Sequence, residues 1–256
     1  MKPSRLSIGL LLLILPATSL SQTSANDWYE RGIDKTQLKD YDGAVADFTK
    51  AIELKPDFVE AYYNRGVVRG DFFGDHSGAI GDFTSAIKLK PNLPEPYNNR
   101  GVAQANLKDY EGAIADYTKA IKLKPDYVLV YYNRGNAKKN LEDYEGAIAD
   151  YTKAIKLKPD FAEAHHTRGN TKRNLRDFQG AIADYTKAIE LKPDYPSAYN
   201  NRGVAQVKLK NYEAGIADYT KAIKLQPDFA SPYSNSGVAK KNLEDYEGAI
   251  ADYTKA

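Results

Sequence analysis

The stretch that decides the fold is one copy of a unit that the chain repeats along almost its whole length. Residues 128–161 read VLVYYNRGNAKKNLEDYEGAIADYTKAIKLKPDF, and closely similar stretches precede and follow them. A glycine marks the same point of each copy, at positions 32, 66, 101, 135, 169, 203 and 237. These glycines are 34 residues apart, except for an interval of 35 between Gly66 and Gly101. A fixed period of this length indicates a stacked repeat architecture.

Further columns of small, aromatic and proline residues follow each glycine. The columns are alanine at 44, 79, 113, 147, 181 and 249, an aromatic at 48, 83, 117, 151, 185, 219 and 253, a second alanine at 51, 86, 120, 154, 188, 222 and 256, and proline at 56, 91, 125, 159, 193 and 227. The one extra residue falls within Gly70–Gly78, which is rich in turn-forming residues. We therefore expect a lengthened turn there and an intact helix before it.

Each unit predicts two helices. In the fourth copy the first helix is expected from Leu129 to Asn140, and the second from near Tyr144 to Lys158, where Pro159 stops it. Capping boxes are expected ahead of first helices at Asp57/Glu60 and Asp160/Glu163. Since glycine inside a helix costs about 1 kcal/mol, we expect each repeated glycine to pack closely against an alanine of the neighbouring helix. One unit cannot bury its apolar stripe alone, so the units must stack.

These columns resemble the tetratricopeptide repeat, whose pattern is W-x2-L-G-x2-Y, then A-x3-F, then P. The matching residues here include Trp28 and Gly32 in the first copy, and Ala113, Tyr117 and Pro125 in the third. The resemblance covers residues 27–256 and implies an all-α fold, a right-handed α-solenoid superhelix of helix-turn-helix repeats. Its expected units are about 27–58, 59–93, 94–127, 128–161, 162–195, 196–229 and a truncated 230–256.

Two charged columns depart from the family pattern. The leucine before the glycine is replaced by Arg31, Arg65, Arg100, Arg134, Arg168 and Arg202, with Ser236 last, and an aspartate precedes each aromatic of the second helix, at 47, 82, 116, 150, 184, 218 and 252. We predict a ladder of arginine–aspartate pairs, within or between units, because arginine beside a buried glycine would otherwise be poorly solvated. The alternative is two unrelated solvated columns.

The resemblance implies that the first helices line a concave groove, where a ligand would sit. Two residues before the glycine stand Asn64, Asn99, Asn133, Asn201 and Asn235. An asparagine side chain can pair with both sides of a peptide bond, so this column could bind an extended backbone. Alternatively, the asparagines bond to the adjacent helix and recur because the unit recurs. Selectivity is expected from Tyr63, Tyr132, His166, Lys139, Arg173 and Lys241.

Composition argues against catalysis, cofactors and metals. There is no cysteine, and no phosphate-binding glycine loop or His-x3-His pair. His165 is expected to pack in the core and His166 to face the groove. Family members that clamp a C-terminal carboxylate use lysine three residues before the glycine; this chain has none there, so that mode is not predicted. Without its leader the chain has equal numbers of basic and acidic residues, 34 each, which disfavours nucleic acid as a partner.

Residues 1–25 read as a signal peptide, and no membrane insertion is expected apart from it. Lys2 and Arg5 precede an apolar run from Leu6 to Leu15, which is too short to span a bilayer, and small residues follow Pro16. The chain is therefore expected to be exported, to the periplasm or the extracellular space. An uncleaved N-terminal anchor is the alternative.

The sequence favours a non-catalytic scaffold that binds extended peptide segments of other proteins in its groove. The alternative is the substrate-recruiting part of a larger enzyme, such as a glycosyltransferase whose catalytic domain lies outside this chain. The last unit stops at Ala256, inside its second helix. This predicts a fragment of a longer protein or, alternatively, end-to-end self-association through the open end.

Overall fold

The computed structural model describes residues 23–256, and all of their regular structure is α-helical. The fourteen helices are α1 Ala25–Gln37, α2 Tyr41–Leu54, α3 Val59–Phe72, α4 His76–Leu89, α5 Pro94–Asn106, α6 Tyr110–Leu123, α7 Val128–Asn140, α8 Tyr144–Leu157, α9 Ala162–Asn174, α10 Phe178–Leu191, α11 Pro196–Lys208, α12 Tyr212–Leu225, α13 Ala230–Asn242 and α14 Tyr246–Lys255. Most of the predicted signal peptide, residues 1–22, lies outside the described residues.

The helices pack in sequence order, each against the helix before it and the helix after it. Odd-numbered helices are the first helices of seven hairpins, and even-numbered helices are the second. This succession of hairpins is the expected all-α solenoid, which is confirmed. The core runs along the stack as a column of fully buried aromatic rings from the second helices, among them Tyr117, Tyr151 and Tyr185, with buried alanines on either side.

An aspartate caps most of the second helices. In the fourth unit the side chain of Asp143 accepts a hydrogen bond of 3.0 Å from the backbone N–H of Gly146, and the helix ends at Leu157, two residues before Pro159. A side chain at Gly146 would collide with the Asp143 carboxylate. The predicted start and proline stop of this helix are confirmed to within a residue.

Most first helices begin without a side-chain cap. Phe58 and Phe161 occupy the N-cap positions of α3 and α9, and neither makes a capping hydrogen bond. The capping boxes predicted at Asp57/Glu60 and Asp160/Glu163 are therefore wrong. A tight turn joins the units instead, in which the backbone N–H of Phe58 donates to the carbonyl of Lys55 and that of Phe161 donates to the carbonyl of Lys158.

The extra residue of the second unit lengthens a helix and leaves the turn unchanged. Helix α3 has 14 residues where most first helices have 13, and three residues still join it to α4. The middle residue of this turn, Gly74, is left-handed with φ of 64°, like Lys39 and Lys108 at the same place in other units. The expected longer turn is thus wrong.

Each repeated glycine makes room for an aromatic ring of its own hairpin. A Cβ added to Gly135 would lie 2.7 Å from Cε1 of Tyr151, and the same clash recurs between Gly101 and Tyr117. The nearest neighbour of each of these glycines is therefore the aromatic ring sixteen residues later in the sequence. The predicted close contact with an alanine of the neighbouring helix is not the closest one. Ring burial offsets the helix propensity that the glycine loses.

The predicted arginine–aspartate ladder is confirmed, and it also links neighbouring units. Arg134 donates from Nε and Nη2 to the two carboxylate oxygens of Asp150, at 2.9 and 2.7 Å. Its Nη1 donates to Thr118 of the preceding unit, at 3.0 Å. The same three-residue arrangement is formed by Arg65–Asp82–Thr49, Arg100–Asp116–Thr84, Arg168–Asp184–Thr152 and Arg202–Asp218–Thr186.

A second cation contacts the buried aspartate in several units. Lys138 Nζ lies 2.8 Å from Asp150, and Lys172 Nζ lies 2.9 Å from Asp184. Burial would raise the pKa of Asp184, but its contacts with His165, Arg168 and Lys172 outweigh this and lower it well below its usual range. Asp184 is therefore ionised, and cations on the first helix of its own unit balance its charge.

Replacing Asp150 with alanine is expected to destabilise the protein by about 3 kcal/mol, because it leaves Arg134 and Lys138 without their partner inside the stack. Urea denaturation followed by far-ultraviolet circular dichroism measures the loss. Asp126→Ala removes an exposed carboxylate and serves as the control. Equal effects of the two substitutions would contradict the structural role of the ladder.

Replacing Gly135 with alanine is expected to destabilise the protein by about 1–3 kcal/mol, since the added methyl displaces the Tyr151 ring. Gly81→Ala is the matched control, because Gly81 also lies inside a helix but faces open space. The free energy of unfolding of the control should rise by up to about 1 kcal/mol, because alanine has a higher helix propensity than glycine. Thermal denaturation of both variants checks the opposite signs, and a stabilised Gly135→Ala protein would refute the assignment.

Candidate functional site

The asparagine column lies on the first helices and joins each unit to the one before it. The side-chain amide of each asparagine donates to the residue that stands three before the glycine in the preceding unit. The bonds are Asn64 to Tyr29 (2.9 Å), Asn99 to Tyr63 (3.0 Å), Asn133 to Asn98 (3.2 Å), Asn201 to His166 (3.1 Å) and Asn235 to Asn200 (2.9 Å). The contact to the adjacent helix, left open by the sequence, is thus formed in each case.

These bonds leave only part of each asparagine for a ligand. Within residues 23–256 the side-chain oxygens of Asn64, Asn133 and Asn235 accept no hydrogen bond from the protein, while that of Asn99 accepts from Asn98. An asparagine amide nitrogen carries two N–H groups, and the bonds above use one of them in Asn64, Asn99, Asn133 and Asn235. The column can therefore offer acceptors to a peptide N–H and a second amide N–H to its carbonyl. Its peptide-binding role stays a prediction.

Tyr63 and Tyr132 lie on first helices and pack against neighbouring aromatic rings. Tyr63 packs against Phe83 of its own hairpin. Tyr132 packs against Tyr151 and against Phe161 at the N-cap of α9, with ring centroids 5.7 and 5.0 Å away. The hydroxyl of Tyr132 lies 3.2 Å from Oγ1 of Thr167, which replaces asparagine in the fifth unit. Both rings are held by these contacts and are partly exposed.

His166 is held as a neutral ring by a network around Asn201. Arg173 can only donate, and its Nη1 lies 3.3 Å from the side-chain oxygen of Asn201. The Asn201 nitrogen therefore faces Nε2 of His166 and the side-chain oxygen of Asn170, at 3.1 and 3.0 Å. Nε2 must accept this bond, so the proton sits on Nδ1 and is directed to the hydroxyl of Tyr195, 3.1 Å away.

Burial and neighbouring charges keep His166 unprotonated. Burial first, and then the positive charges of Arg173 and Lys139, lower its pKa from 6.5 to about 4, although Glu163 opposes the shift. Burial likewise raises the pKa of the Tyr195 hydroxyl to about 12. At neutral pH the network is uncharged, with Lys139 and Arg173 as cations beside it.

Lys241, the last predicted groove cation, is exposed on α13. His165 packs in the core as expected. Its Nε2 lies 3.2 Å from the carbonyl of Pro159, in the place where Tyr131 bonds to Pro125 in the preceding unit. Residues 23–256 contain no group of acidic, histidine or cysteine side chains suited to a metal ion. None of the helices in that range is long and apolar enough to cross a membrane.

Several pockets open where consecutive first helices meet, and three of them show how the chemistry differs along the groove. The N-terminal pocket, of about 290 Å³, is lined by Tyr29, Val59, Tyr63, Leu93 and Pro96 with Glu60 and Glu95. The middle pocket, of about 270 Å³, is lined by Asn106, Asn133, Asn136 and Asn140 with apolar neighbours. The basic pocket, of about 540 Å³, is lined by Arg173, Asn174, Arg176, Phe178, Val204 and Lys208.

Sequence reasoning missed several of these residues. Asn98 and Asn200 accept the interhelical hydrogen bonds. They stand three residues before the glycine, in the column that enters the sequence-based prediction only through its lack of lysine. Arg176 lies in a turn and Lys208 at the end of α11, so only the stacking of two units brings them beside Arg173. A search for charged residues four to seven positions after the glycine in two adjacent units finds this group.

Family models match most of the chain. A model described as TPR repeat matches residues 34–70, 107–141 and 169–210, and a model described as tetratricopeptide repeat matches 128–161 and 196–229. A further tetratricopeptide repeat model matches 230–256. A search of curated proteins finds no match.

Solved structures share the fold. The crystal structure of MamA protein is 27% identical with a TM-score of 0.62, over 66% of this chain and 92% of that one. YrrB, described as a TPR protein with an unusual peptide-binding site, is 23% identical with a TM-score of 0.63, over 72% and 95%. A tetratricopeptide repeat protein from Parabacteroides merdae is 19% identical with a TM-score of 0.71, over 91% and 92%.

The described residues thus consist of helical hairpins alone, stacked into a groove with interhelical pockets. Such an architecture is that of a protein-interaction scaffold. With the repeat signature, the hairpin stack and the model matches together, the chain belongs to the tetratricopeptide repeat family.

Proposed function

We propose that the protein is a non-catalytic scaffold that binds an extended peptide segment of a partner protein in the groove of its first helices. The observation that carries the proposal is the row of pockets between consecutive first helices, each bordered by side chains already fixed by hydrogen bonds. An extended chain can place alternate side chains in such pockets while its backbone crosses the ridges between them.

The fixed groove lowers the cost of binding. Asn99, Asn133 and Asn201 are tied to the preceding helix, and the rings of Tyr63 and Tyr132 are packed between layers. Little side-chain entropy is lost when a ligand arrives at a preorganised surface. YrrB is described as having a peptide-binding site, which adds support from a protein of the same fold.

We further propose that the protein acts outside the cytoplasm. The support is the basic start, short apolar run and small residues of segment 1–25, together with the absence of cysteine from the sequence. A partner is then expected among periplasmic or extracellular proteins.

Filling the middle pocket is expected to abolish peptide binding. Asn106→Trp with Asn140→Trp adds two rings at exposed positions that line it, so the fold should be preserved. Glu111→Trp with Glu145→Trp adds the same rings at exposed positions on second helices and is the control. An array of random-sequence linear peptides measures binding, and circular dichroism confirms folding.

The groove variant should lose at least tenfold in signal for peptides that the wild-type protein retains, and the control should keep it. A groove variant that retains the same peptides would overturn the proposal. So would a wild-type protein that retains no peptide above background.

The neutral His166 network makes the stability of the groove depend on pH. The pKa of His166 is about 4 in the folded protein and 6.5 ordinarily, so between these values the unfolded chain binds the extra proton. Stability is therefore complete above pH 6.5 and falls by up to about 3 kcal/mol as the pH drops to 4.

The His166→Asn variant isolates this contribution. Asparagine occupies the equivalent position in the third and sixth units, where Asn98 and Asn200 accept from the next unit's asparagine. Urea denaturation of both proteins at several pH values should show that the wild type loses more stability than the variant between pH 6.5 and 4. Parallel pH profiles would contradict the assigned protonation state.

A further inference from the structure

We propose that the basic pocket binds side-chain carboxylates, so that the peptide partner carries an acidic segment where it crosses helices α9 and α11. This inference rests on the proposed function, because it gives the charge of the peptide at one part of the same groove. The pocket is defined by Arg173, Arg176 and Lys208 with Asn174, Phe178 and Val204.

The three cations of the pocket have no acidic partner in the described part of the chain. Ion pairs within residues 23–256 include Arg168 and Lys172 with Asp184 in the same unit, but none with Arg173, Arg176 or Lys208. Arg176 and Lys208 are exposed and Arg173 is half-buried. The pocket thus concentrates three positive charges in a body whose overall charge is balanced, a local field that attracts anions.

A hydrogen bond holds Arg173 in place, and most of the N–H donors of its guanidinium remain available to a ligand. One of its nitrogens, Nη1, reaches the side-chain oxygen of Asn201 at 3.3 Å, which leaves other donors of the planar group free. A guanidinium held in place can bind a carboxylate through two parallel hydrogen bonds. Asn174 adds an amide, and Phe178 and Val204 give an apolar wall against which the methylene groups of a glutamate can pack.

The arrangement of charge differs from that of the middle pocket, which occupies the equivalent place two units earlier. Ala105, Asn106 and Asn140 stand there where the basic pocket has Arg173, Asn174 and Lys208, while Lys108 stands at the position of Arg176. The N-terminal pocket has Glu60 and Glu95 at its border instead. A groove with an acidic border at one end and cations at the other distinguishes the two ends of a bound peptide by charge.

The test uses two fluorescent peptides with amidated C-termini, one of alternating serine and glutamate and one of alternating serine and glutamine. Fluorescence anisotropy at low salt should show that the wild-type protein binds the glutamate peptide about tenfold more tightly, as several partly exposed ion pairs acting together predict. The preference should shrink as salt is added. Equal affinity for the two peptides would overturn the inference.

Two triple variants with the same change of charge separate the pocket from a general charge effect. Arg173→Gln with Arg176→Gln and Lys208→Gln should remove the preference for glutamate. Lys122→Gln with Lys156→Gln and Lys224→Gln changes exposed lysines of second helices that make no ion pair in the described residues, and should keep it. Equal losses in the two variants would show non-specific attraction and refute the site.

The outcome is distinguishable from failure of the proposed function. The random peptide array reports binding in the groove whatever the charge of the peptide, and the middle-pocket variant tests it without touching the cations. If the protein still binds peptides on the array but shows no preference for glutamate, the inference about the basic pocket is refuted and the proposed function is not. Loss of the acidic peptides from the array for the Arg173 triple variant, with others kept, is the expected result.

Discussion

The structure depends on a buried carboxylate of the second helix that is held by two cations on the first helix of the same hairpin. Asp150 receives two hydrogen bonds from Arg134 and a contact from Lys138, while the same arginine reaches Thr118 on the preceding unit. One guanidinium therefore sets the angle within a hairpin and the register between hairpins. Taking these charges out of water is costly unless every polar atom finds a partner, and the geometry of the stack supplies those partners unit after unit.

Much of the fold follows from the sequence because the period repeats the same physical constraint. The second helix is predicted to within a residue, since an aspartate cap and a proline fix its two ends. The arginine–aspartate pairs are predicted from charge and helical phase. The threonine partner is not, because it depends on the stagger between units, which no single unit encodes. The predicted glycine partner is wrong for a different reason: the contact with Gly135 depends on where the Tyr151 ring lies inside its own hairpin, and the repeat pattern does not specify this.

The candidate site contains features that the repeat pattern of the sequence does not predict. The asparagine column is visible in the sequence, but whether its amides face a ligand or a neighbouring helix depends on the distance between first helices. That spacing brings Asn133 within 3.2 Å of Asn98. The sequence does not reveal the basic pocket, because Arg173 lies on α9, Arg176 in the turn after it and Lys208 on α11 of the next unit. Such groups arise from differences between copies, whereas the fold arises from what the copies share.

The junction before the last hairpin lacks the arginine bridge found at the five preceding ones. Ser236 stands in the arginine column, and Thr220 bonds only to the backbone of Ile216 within its own helix. Asn235 still reaches Asn200, so one polar link and apolar packing remain. The cooperativity of a linear repeat array comes from the interfaces between neighbouring units. The interface between the sixth and seventh hairpins has fewer polar contacts than the preceding ones and is therefore the weakest coupled. The seventh hairpin is therefore expected to separate from its neighbour at a lower free energy than the hairpins before it, so that local unfolding starts at this junction.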